Sequence, residues 1–258
     1  MNTKILDEII KQDYAKIQVD IDSFLRKYIT DAQGFVFGLS GGIDSAVIAY
    51  ICANSFKEKT LALIMPDSKV SPKQETEDAL HLVDSLGIDY KLIDISMIHS
   101  QFANIVEPQE TALGNLRARI RSALLYYYAN LKNYLVVGTS DKSEYLIGYF
   151  AKFGDGSADI LPIVSLYKSQ IREFARFLKV KDSIISKKSS PHLWKGHTAE
   201  EEIGVTYDEI DSVLYCLVDK NMTIDQTADV TDIDKSKIER IHQMYKKSEH
   251  KRTMPPKL

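Results

Sequence analysis

The sequence is short of the residues that build metal clusters and disulfides. Its 258 residues include only two cysteines, Cys52 and Cys216, and neither has a second cysteine at metal-ligand spacing. Cys52 lies in a predicted buried helix and Cys216 in a distant apolar helix, so both are predicted to be core thiols. The six histidines show no metal-ligand spacing either. Sulfur or imidazole metal sites are therefore not expected.

Strong net charge and long apolar runs are also absent. A net charge of −3 gives no reason to expect nucleic acid as a bulk partner. Residues 1–16 mix charged with apolar side chains, unlike a signal peptide, and no later segment is apolar enough to cross a bilayer. We therefore expect a cytoplasmic protein with neither a nucleic-acid nor a membrane partner.

Length and patterning predict one α/β domain over residues 1–258, because a single core can extend over about 250 to 300 residues. Continuous apolar segments typical of buried parallel strands alternate with segments typical of helices. This alternation predicts a doubly wound parallel sheet flanked by helices. Predicted strands start at residue 34 and cover 60–66, 90–95 and 134–140, and predicted helices include 5–28, 46–53, 114–133 and 168–179.

The helix after the second strand carries start and stop signals. Ser71, Pro72 and Gln74 fit the N-cap, N1 and N3 positions of a capping box. Gly87 fits the C-terminal stop. We therefore predict a helix that begins at this capping box and ends at Leu86.

Residues 34–45, GFVFGLSGGIDS, combine a predicted strand, a glycine turn and a helix start. Adjacent Gly41 and Gly42 let backbone N–H groups approach an anion, and a helix N-terminus adds partial positive charge there. The segment differs from the GxxxxGKS or GxxxxGKT loop, because it has no lysine for the β- and γ-phosphates of a nucleotide. The pattern predicts a phosphate-binding loop, with an ordinary strand-to-helix turn as the alternative.

Three segments that follow predicted strands are expected to share one crevice. They are the glycine loop at 38–42, residues 66–68 and residues 139–140. In a doubly wound sheet, ligands bind at the carboxyl ends of the strands. This convergence supports a binding site more strongly than any single motif does.

Two carboxylates could hold a metal ion in that crevice. Asp44 directly follows the phosphate loop and would repel phosphates unless a cation lay between them. Glu144, five residues beyond Thr139, could supply a second carboxylate, and Mg²⁺ is commonly held by one or two carboxylates plus substrate phosphates. The alternatives are a helix-dipole role for Asp44 and a solvated surface position for Glu144.

The segment 148–168, GYFAKFGDGSADILPIVSLYK, is too long and too patterned for a simple connector. Lys152 and Lys168 could neutralise phosphate oxygens, and Asp159 could accept a hydrogen bond from a substrate hydroxyl or amine. Each lysine taken alone could equally be a solvated cation.

The long predicted helix carries three arginines at intervals of two. Arg117 and Arg121 share a face, whereas Arg119 points roughly the opposite way, so the three cannot serve one site. One arginine facing the crevice could bind an anionic substrate. Tyr126–Tyr128 are predicted to serve in core and interface packing.

Seven motifs follow one another along the chain: GLSGGIDS, GNLRARIR, VVGTSDKSE, GYFAKFGDGSADILPI, LYK, EEIGVTYDEID and SEHKR. Together they resemble the ammonia-dependent NAD⁺ synthetases of the ATP pyrophosphatase superfamily. The resemblance implies that the carboxylate of nicotinic acid adenine dinucleotide (deamido-NAD) attacks the α-phosphate of ATP and releases pyrophosphate, after which ammonia displaces AMP. It also implies a homodimer, which we expect to form through the long helix and the tail.

The resemblance assigns site residues in three groups. It assigns no covalent nucleophile, and none is needed, because positioning and charge stabilisation can carry a displacement at phosphorus. The ATP group is Gly38, Leu39, Ser40, Gly41, Gly42, Ile43, Asp44, Ser45, Thr139, Lys168 and Ser190. The deamido-NAD group is Arg119, Lys152, Asp159, His250 and Lys251. The Mg²⁺ ligands are Asp44 and Glu144.

The chain departs from the family pattern within 186–200, where His197 and Ala199 replace the usual Gln and Asp. No segment has room for the amidase domain of glutamine-dependent members, so free ammonia is the expected nitrogen donor. The alternatives are another AMP-forming ligase of the superfamily, such as a GMP-synthetase-like or tRNA-thiolating enzyme, and a non-catalytic adenine nucleotide-binding module. The first alternative would be expected to show a partner domain, cysteine pairs or a basic surface, and the chain has none of these. The paired carboxylates argue against the second alternative, because a nucleotide sensor needs no metal for a leaving group.

Overall fold

A computed structural model describes residues 3–190, 194, 196 and 198–256. Its strands are β1 (Gly34–Gly38), β2 (Thr60–Ile64), β3 (Asp89–Leu92) and β4 (Tyr134–Val136). The helices are α1 (Lys4–Ile10), α2 (Tyr14–Tyr28), α3 (Ile43–Phe56), α4 (Lys73–Leu86), α5 (Ser96–Ala103), α6 (Glu110–Lys132), α7 (Lys142–Ile147), α8 (Lys168–Phe177), α9 (Asp182–Ile185), α10 (Ala199–Ile203), α11 (Tyr207–Leu214), α12 (Ile224–Thr231), α13 (Lys235–Lys247) and α14 (Glu249–Arg252).

The four strands run parallel in the order β3-β2-β1-β4. From β1 the chain builds the sheet outward through β2 and β3, and then returns to the other side of β1 for β4. The change of direction between β1 and β4 is a topological switch point, where doubly wound sheets open a crevice. The predicted fold class is confirmed.

Alternating side chains of β1 face different helical layers. Phe35 and Phe37 are fully buried in the cluster that contains residues of α3, α4 and α8. Val36 points the other way and packs in the cluster that contains Ile120 of α6. Helices therefore cover both faces, which explains why these strands are continuously apolar.

The helices near the carboxyl terminus form a third packed cluster with α1. Its fully buried members include Tyr207 and Ile210 of α11 and Ile238 of α13. Helix α11 contacts both α7 and α8. This cluster therefore packs against α7 and α8, the helices that follow β4.

The amino-terminal helix differs from the prediction, because 5–28 forms two helices with a break at 11–13. Asp13 explains the break: its side chain accepts a hydrogen bond from the backbone N–H of Lys16 at 3.0 Å and caps α2. A capping aspartate satisfies a free N–H group of a helix start, so it favours a new helix over continuation.

The capping box predicted at 71–74 is wrong. Helix α4 begins at Lys73 with Pro72 as N-cap. Ser71 Oγ instead accepts a hydrogen bond from the backbone N–H of Asp67 at 3.1 Å, within the loop that follows β2. The stop at Gly87 is confirmed, with φ of 63°.

The two cysteines are buried free thiols, as predicted. Burial raises the pKa of Cys52 to about 12 and that of Cys216 to about 11. Within the described part of the chain, no helix is long and apolar enough to cross a membrane.

Candidate active site

The predicted phosphate loop joins β1 to α3. Gly41 has φ of 87°, and a Cβ at this position would lie 2.3 Å from the backbone oxygen of Glu75. Gly42 is the N-cap of α3 and has no side chain with which to occupy the first-turn N–H groups. Ser45 Oγ braces the loop by donating to Gly42 O at 3.0 Å and accepting from Ser40 N at 3.2 Å. The local geometry is that of an anion site at a helix N-terminus.

This loop opens onto a cavity of about 270 Å³ at the carboxyl ends of β1, β2 and β4. The three segments expected to converge do so, because Ser40, Pro66 and Thr139 all line it. Ser190 lines the same cavity from the segment after α9. His197 lies outside the described residues. The predicted ATP residues that line the cavity are Gly38, Leu39, Ser40, Gly42, Ile43, Asp44, Thr139 and Ser190.

An acidic cluster built around one lysine lies at the edge of this cavity. Lys168 Nζ donates to Asp44 Oδ2 at 2.7 Å and to Glu144 Oε1 at 2.9 Å. Asp141 Oδ2 lies 2.6 Å from the same nitrogen. The side chains of Lys168 and Asp141 are fully buried, whereas about a fifth of Asp44 and Glu144 stays exposed. The cluster thus presents two carboxylates to the cavity and keeps its other two charges inside.

The cluster shifts the protonation equilibria of its members. Burial raises the pKa of Asp141 well above its usual range and also raises that of Glu144, and neighbouring carboxylates add to both shifts. Burial alone would lower the pKa of Lys168, but the three carboxylates outweigh it and raise this pKa well above its usual range. The lysine is therefore held as an ammonium.

The donor set fits a hard divalent cation. Oxygen atoms of Asp44, Asp141 and Glu144 lie within 4.8 Å of one another. Asp44 Oδ1 is buried without a hydrogen-bond partner among the described residues. Carboxylate oxygens are the ligands Mg²⁺ prefers. The predicted pair of ligands therefore lies together, with a third carboxylate beside it.

Sequence reasoning missed Asp141. It is the N-cap of α7, and its Oδ1 accepts from Glu144 N at 2.8 Å, which orients the first turn that carries Glu144. The available signal was its place two residues beyond the strand-end Thr139, within VVGTSDKSE.

Helix α11 supports the cluster from behind through Tyr207 and Asp211, which are also residues that the sequence did not single out. Tyr207 OH donates to Glu144 Oε1 at 2.9 Å, and its ring centroid lies 5.0 Å from Lys168 Nζ. Asp211 is fully buried, accepts from Ser143 Oγ at 2.5 Å and accepts from Ser169 N at 2.8 Å. A spacing of four residues puts both on one face of α11.

The residues predicted for a second substrate gather where α6, the 148–160 loop and the tail meet. Arg119 Nε donates to Lys152 O at 3.3 Å, and Lys152 Nζ donates to His250 O at 2.5 Å. Lys251 Nζ donates to Gly148 O at 2.7 Å. Burial lowers the pKa of Lys251. Four of the five predicted residues therefore belong to one contact network, outside the lining of the cavity.

Asp159, the fifth, lies apart from this network. Its Oδ2 accepts from the backbone N–H of Val136 at 2.7 Å, and Tyr126 OH approaches its Oδ1 at 3.4 Å. Its side chain therefore ties the 148–160 loop to the end of β4, and its predicted contact with a substrate stays a prediction.

The predicted opposite directions of the arginines of α6 are confirmed, but the arginine that lines the cavity is Arg121 and not Arg119. Arg117 Nε donates to Asp67 Oδ2 at 2.6 Å, and Arg121 Nε donates to Met65 O at 2.9 Å, so both face the end of β2. Arg119 points away from them toward Lys152.

Comparisons with known proteins agree with this architecture. Residues 17–255 match the family model described as NAD synthase. The NH(3)-dependent NAD(+) synthetase of Staphylothermus marinus is 47% identical over 97% of this chain and 94% of its own. An NH3-dependent NAD synthetase from Campylobacter jejuni has a TM-score of 0.81 at 36% identity, over 96% of this chain and 99% of its own. An NMN synthetase from Francisella tularensis has a TM-score of 0.85 at 36% identity, with the same coverage.

The first prediction concerns the loop. Gly41→Ala is expected to abolish Mg·ATP binding in isothermal titration calorimetry, because the added Cβ meets the backbone of Glu75 and the residue has positive φ. Gly87→Ala is the matched control, since Gly87 also has positive φ, of 63°, but lies at the end of α4, outside the cavity lining. It should lose some stability and still bind. Wild-type affinity in Gly41→Ala would show that the loop does not contact the nucleotide.

Proposed function

Because the chain belongs to the NAD synthase family, we propose that it catalyses the ATP-dependent amidation of deamido-NAD with ammonia, which yields NAD⁺, AMP and pyrophosphate. The observation that carries this proposal is the phosphate loop next to the acidic cluster at one switch point. The loop has no lysine of its own, so residues of other segments would neutralise the negative charge of the pyrophosphate. This arrangement suits a reaction that releases pyrophosphate. A cytoplasmic location belongs to the proposal, because the reaction consumes ATP.

In the first step, a carboxylate oxygen of deamido-NAD attacks the α-phosphorus of ATP, and the bond to the β-phosphate oxygen breaks. Backbone N–H groups of residues 40–45 would hold the leaving pyrophosphate. Thr139 and Ser190, which line the cavity, would contact the rest of ATP. In the second step, ammonia attacks the activated carbonyl carbon, AMP leaves, and the nitrogen loses a proton.

Asp44 and Glu144 would hold Mg²⁺, with Asp141 beside them. The ion, when bound, supplies positive charge that neutralises phosphate oxygens. Lys168 sits at the centre of these carboxylates, so its ammonium limits their mutual repulsion. Its proposed contact with ATP requires a shift of its ammonium from the position described, because it does not line the cavity.

Arg119, Lys152, His250 and Lys251 would bind the phosphates of deamido-NAD, and Asp159 a hydroxyl or amine of that substrate. Electrostatics supports this proposed binding, because four side chains that can carry positive charge lie on neighbouring segments and the substrate is anionic. Residues 1–258 would form one NAD synthetase domain, and its nitrogen donor would be free ammonia.

A homodimer through α6 is part of the proposal. Ala123, Tyr127 and Leu131 lie four residues apart on one face of this helix, and all three are exposed. Tyr127 and Leu131 are 60% and 63% exposed. An uncharged apolar stripe of this kind is typical of a surface that another chain covers.

The product assay tests the reaction. ATP, Mg²⁺, ammonium and deamido-NAD should give NAD⁺, AMP and pyrophosphate in equal amounts, whereas formation of ADP and phosphate would contradict the assignment. Glutamine should not replace ammonium. Nicotinic acid mononucleotide serves as the competing substrate, and preference for it would redirect the proposal toward an NMN synthetase.

Asp44→Asn tests the metal site. We expect this change to abolish turnover while deamido-NAD binding is much less affected, because it removes a charged oxygen next to the phosphate loop. Binding of Mn²⁺ in place of Mg²⁺, followed by electron paramagnetic resonance, should weaken in parallel. Asp225→Asn, an exposed aspartate paired with Lys235, is the control. Retained Mg²⁺-dependent activity would remove Asp44 from the metal site.

Tyr127→Glu tests the dimer. Placing a charge in the apolar stripe should shift the sedimentation coefficient from dimer to monomer in analytical ultracentrifugation. Val19→Glu, at a residue of α2 that is 62% exposed, should leave the oligomeric state unchanged. A wild-type protein that sediments as a monomer would contradict this part of the proposal.

A further inference from the structure

One ammonium group outside the acidic cluster connects three parts of the cavity wall. Lys187, in the segment after α9, places Nζ 3.0 Å from Gly41 O, 3.1 Å from Glu75 Oε2 and 2.5 Å from Asp78 Oδ2. Its side chain is 20% exposed. The phosphate loop, α4 and this segment are therefore joined at a single partly buried charge.

The contact with Gly41 bears on the orientation of the phosphate loop. The carbonyl and N–H of a trans peptide point in opposite directions, so holding Gly41 O toward Lys187 turns Gly42 N–H to the opposite side of the peptide. On that opposite side, Gly42 N donates to Ser40 Oγ at 3.2 Å, within the phosphate loop. A glycine peptide rotates easily, and a rotated one would turn its carbonyl oxygen to the side on which Gly42 N–H now lies. Lys187 opposes this rotation.

The same lysine fixes one end of a wall segment. Residues 187–190 line the cavity. Ser189 O accepts a hydrogen bond from Ala199 N at 3.0 Å, which fixes the return of the chain into α10. Hydrogen bonds of Lys187 and of Ser189 therefore hold the residues that directly precede Ser190.

We propose that Lys187 is a positioning residue for the polyphosphate of ATP. It holds the Gly41–Gly42 peptide in the orientation that binds an anion and keeps residues 187–190 against the cavity. This inference rests on the proposed function, because it assumes that the loop binds the pyrophosphate half of ATP. The competing explanation is that Lys187 only neutralises Glu75 and Asp78.

The test measures binding of Mg·ATP and of magnesium pyrophosphate by isothermal titration calorimetry. Lys187→Met should weaken both by roughly 10- to 100-fold, the range expected when a hydrogen bond from a charged donor is lost. The KM for ATP should rise while the KM for deamido-NAD stays near that of the wild type. Lys187→Arg should recover most of the affinity. Lys237→Met, which removes a lysine paired with Glu209 away from the cavity, should change neither value.

The double variant Lys187→Met/Asp78→Asn separates the two explanations. If Lys187 positions the peptide, the double variant binds as weakly as Lys187→Met. Recovery of affinity in the double variant would overturn the proposal, because it would show that only charge neutralisation matters. Unchanged affinity in Lys187→Met, with the fold intact by circular dichroism, would also overturn it. If the wild type binds neither ligand, the proposed function itself fails, and this inference fails with it.

Discussion

The crevice depends on the ion pairs that the ammonium of Lys168 forms with three carboxylates. This ammonium balances Asp44 from α3, Asp141 from the N-cap of α7 and Glu144 from the first turn of α7. Without it, three carboxylates would lie within 4.8 Å of one another in a largely buried position. Removing one partner of a buried ion pair typically costs about 3–5 kcal/mol, because the other charge stays buried. This constraint holds the two sides of the switch point together.

The carboxyl-terminal helices contact the acidic cluster around Lys168 through helix α11. Tyr207 and Asp211 contact α7 and the start of α8 from one face of α11. Ser143 Oγ links the two layers, because it accepts from Lys168 N at 2.8 Å and donates to Asp211. The third hydrophobic cluster therefore positions polar groups of the site as well as adding buried area.

The 148–160 loop connects the two candidate substrate regions. Gly154 and Asp155 line the cavity, whereas Lys152 joins Arg119 to the tail through His250. A substrate held by the second region would lie near the nucleotide cavity along one continuous segment. That arrangement suits a reaction in which the carboxylate of one substrate must reach the α-phosphate of another.

Local sequence patterns by themselves determined the parallel sheet, the phosphate loop, the placement of Asp44 and the opposite directions of Arg117 and Arg119. These follow from period, glycine chemistry and strand ends, which act over a few residues. Local hydrogen bonds that the sequence patterns did not predict decided the break at Asp13 and the different role of Ser71. Tertiary structure alone decided the gathering of Asp141, Lys168, Tyr207 and Lys187. The contacts that Lys168 and Lys187 make in this way join residues between 24 and 146 positions apart along the chain, and only packing brings such distant charges within hydrogen-bond distance.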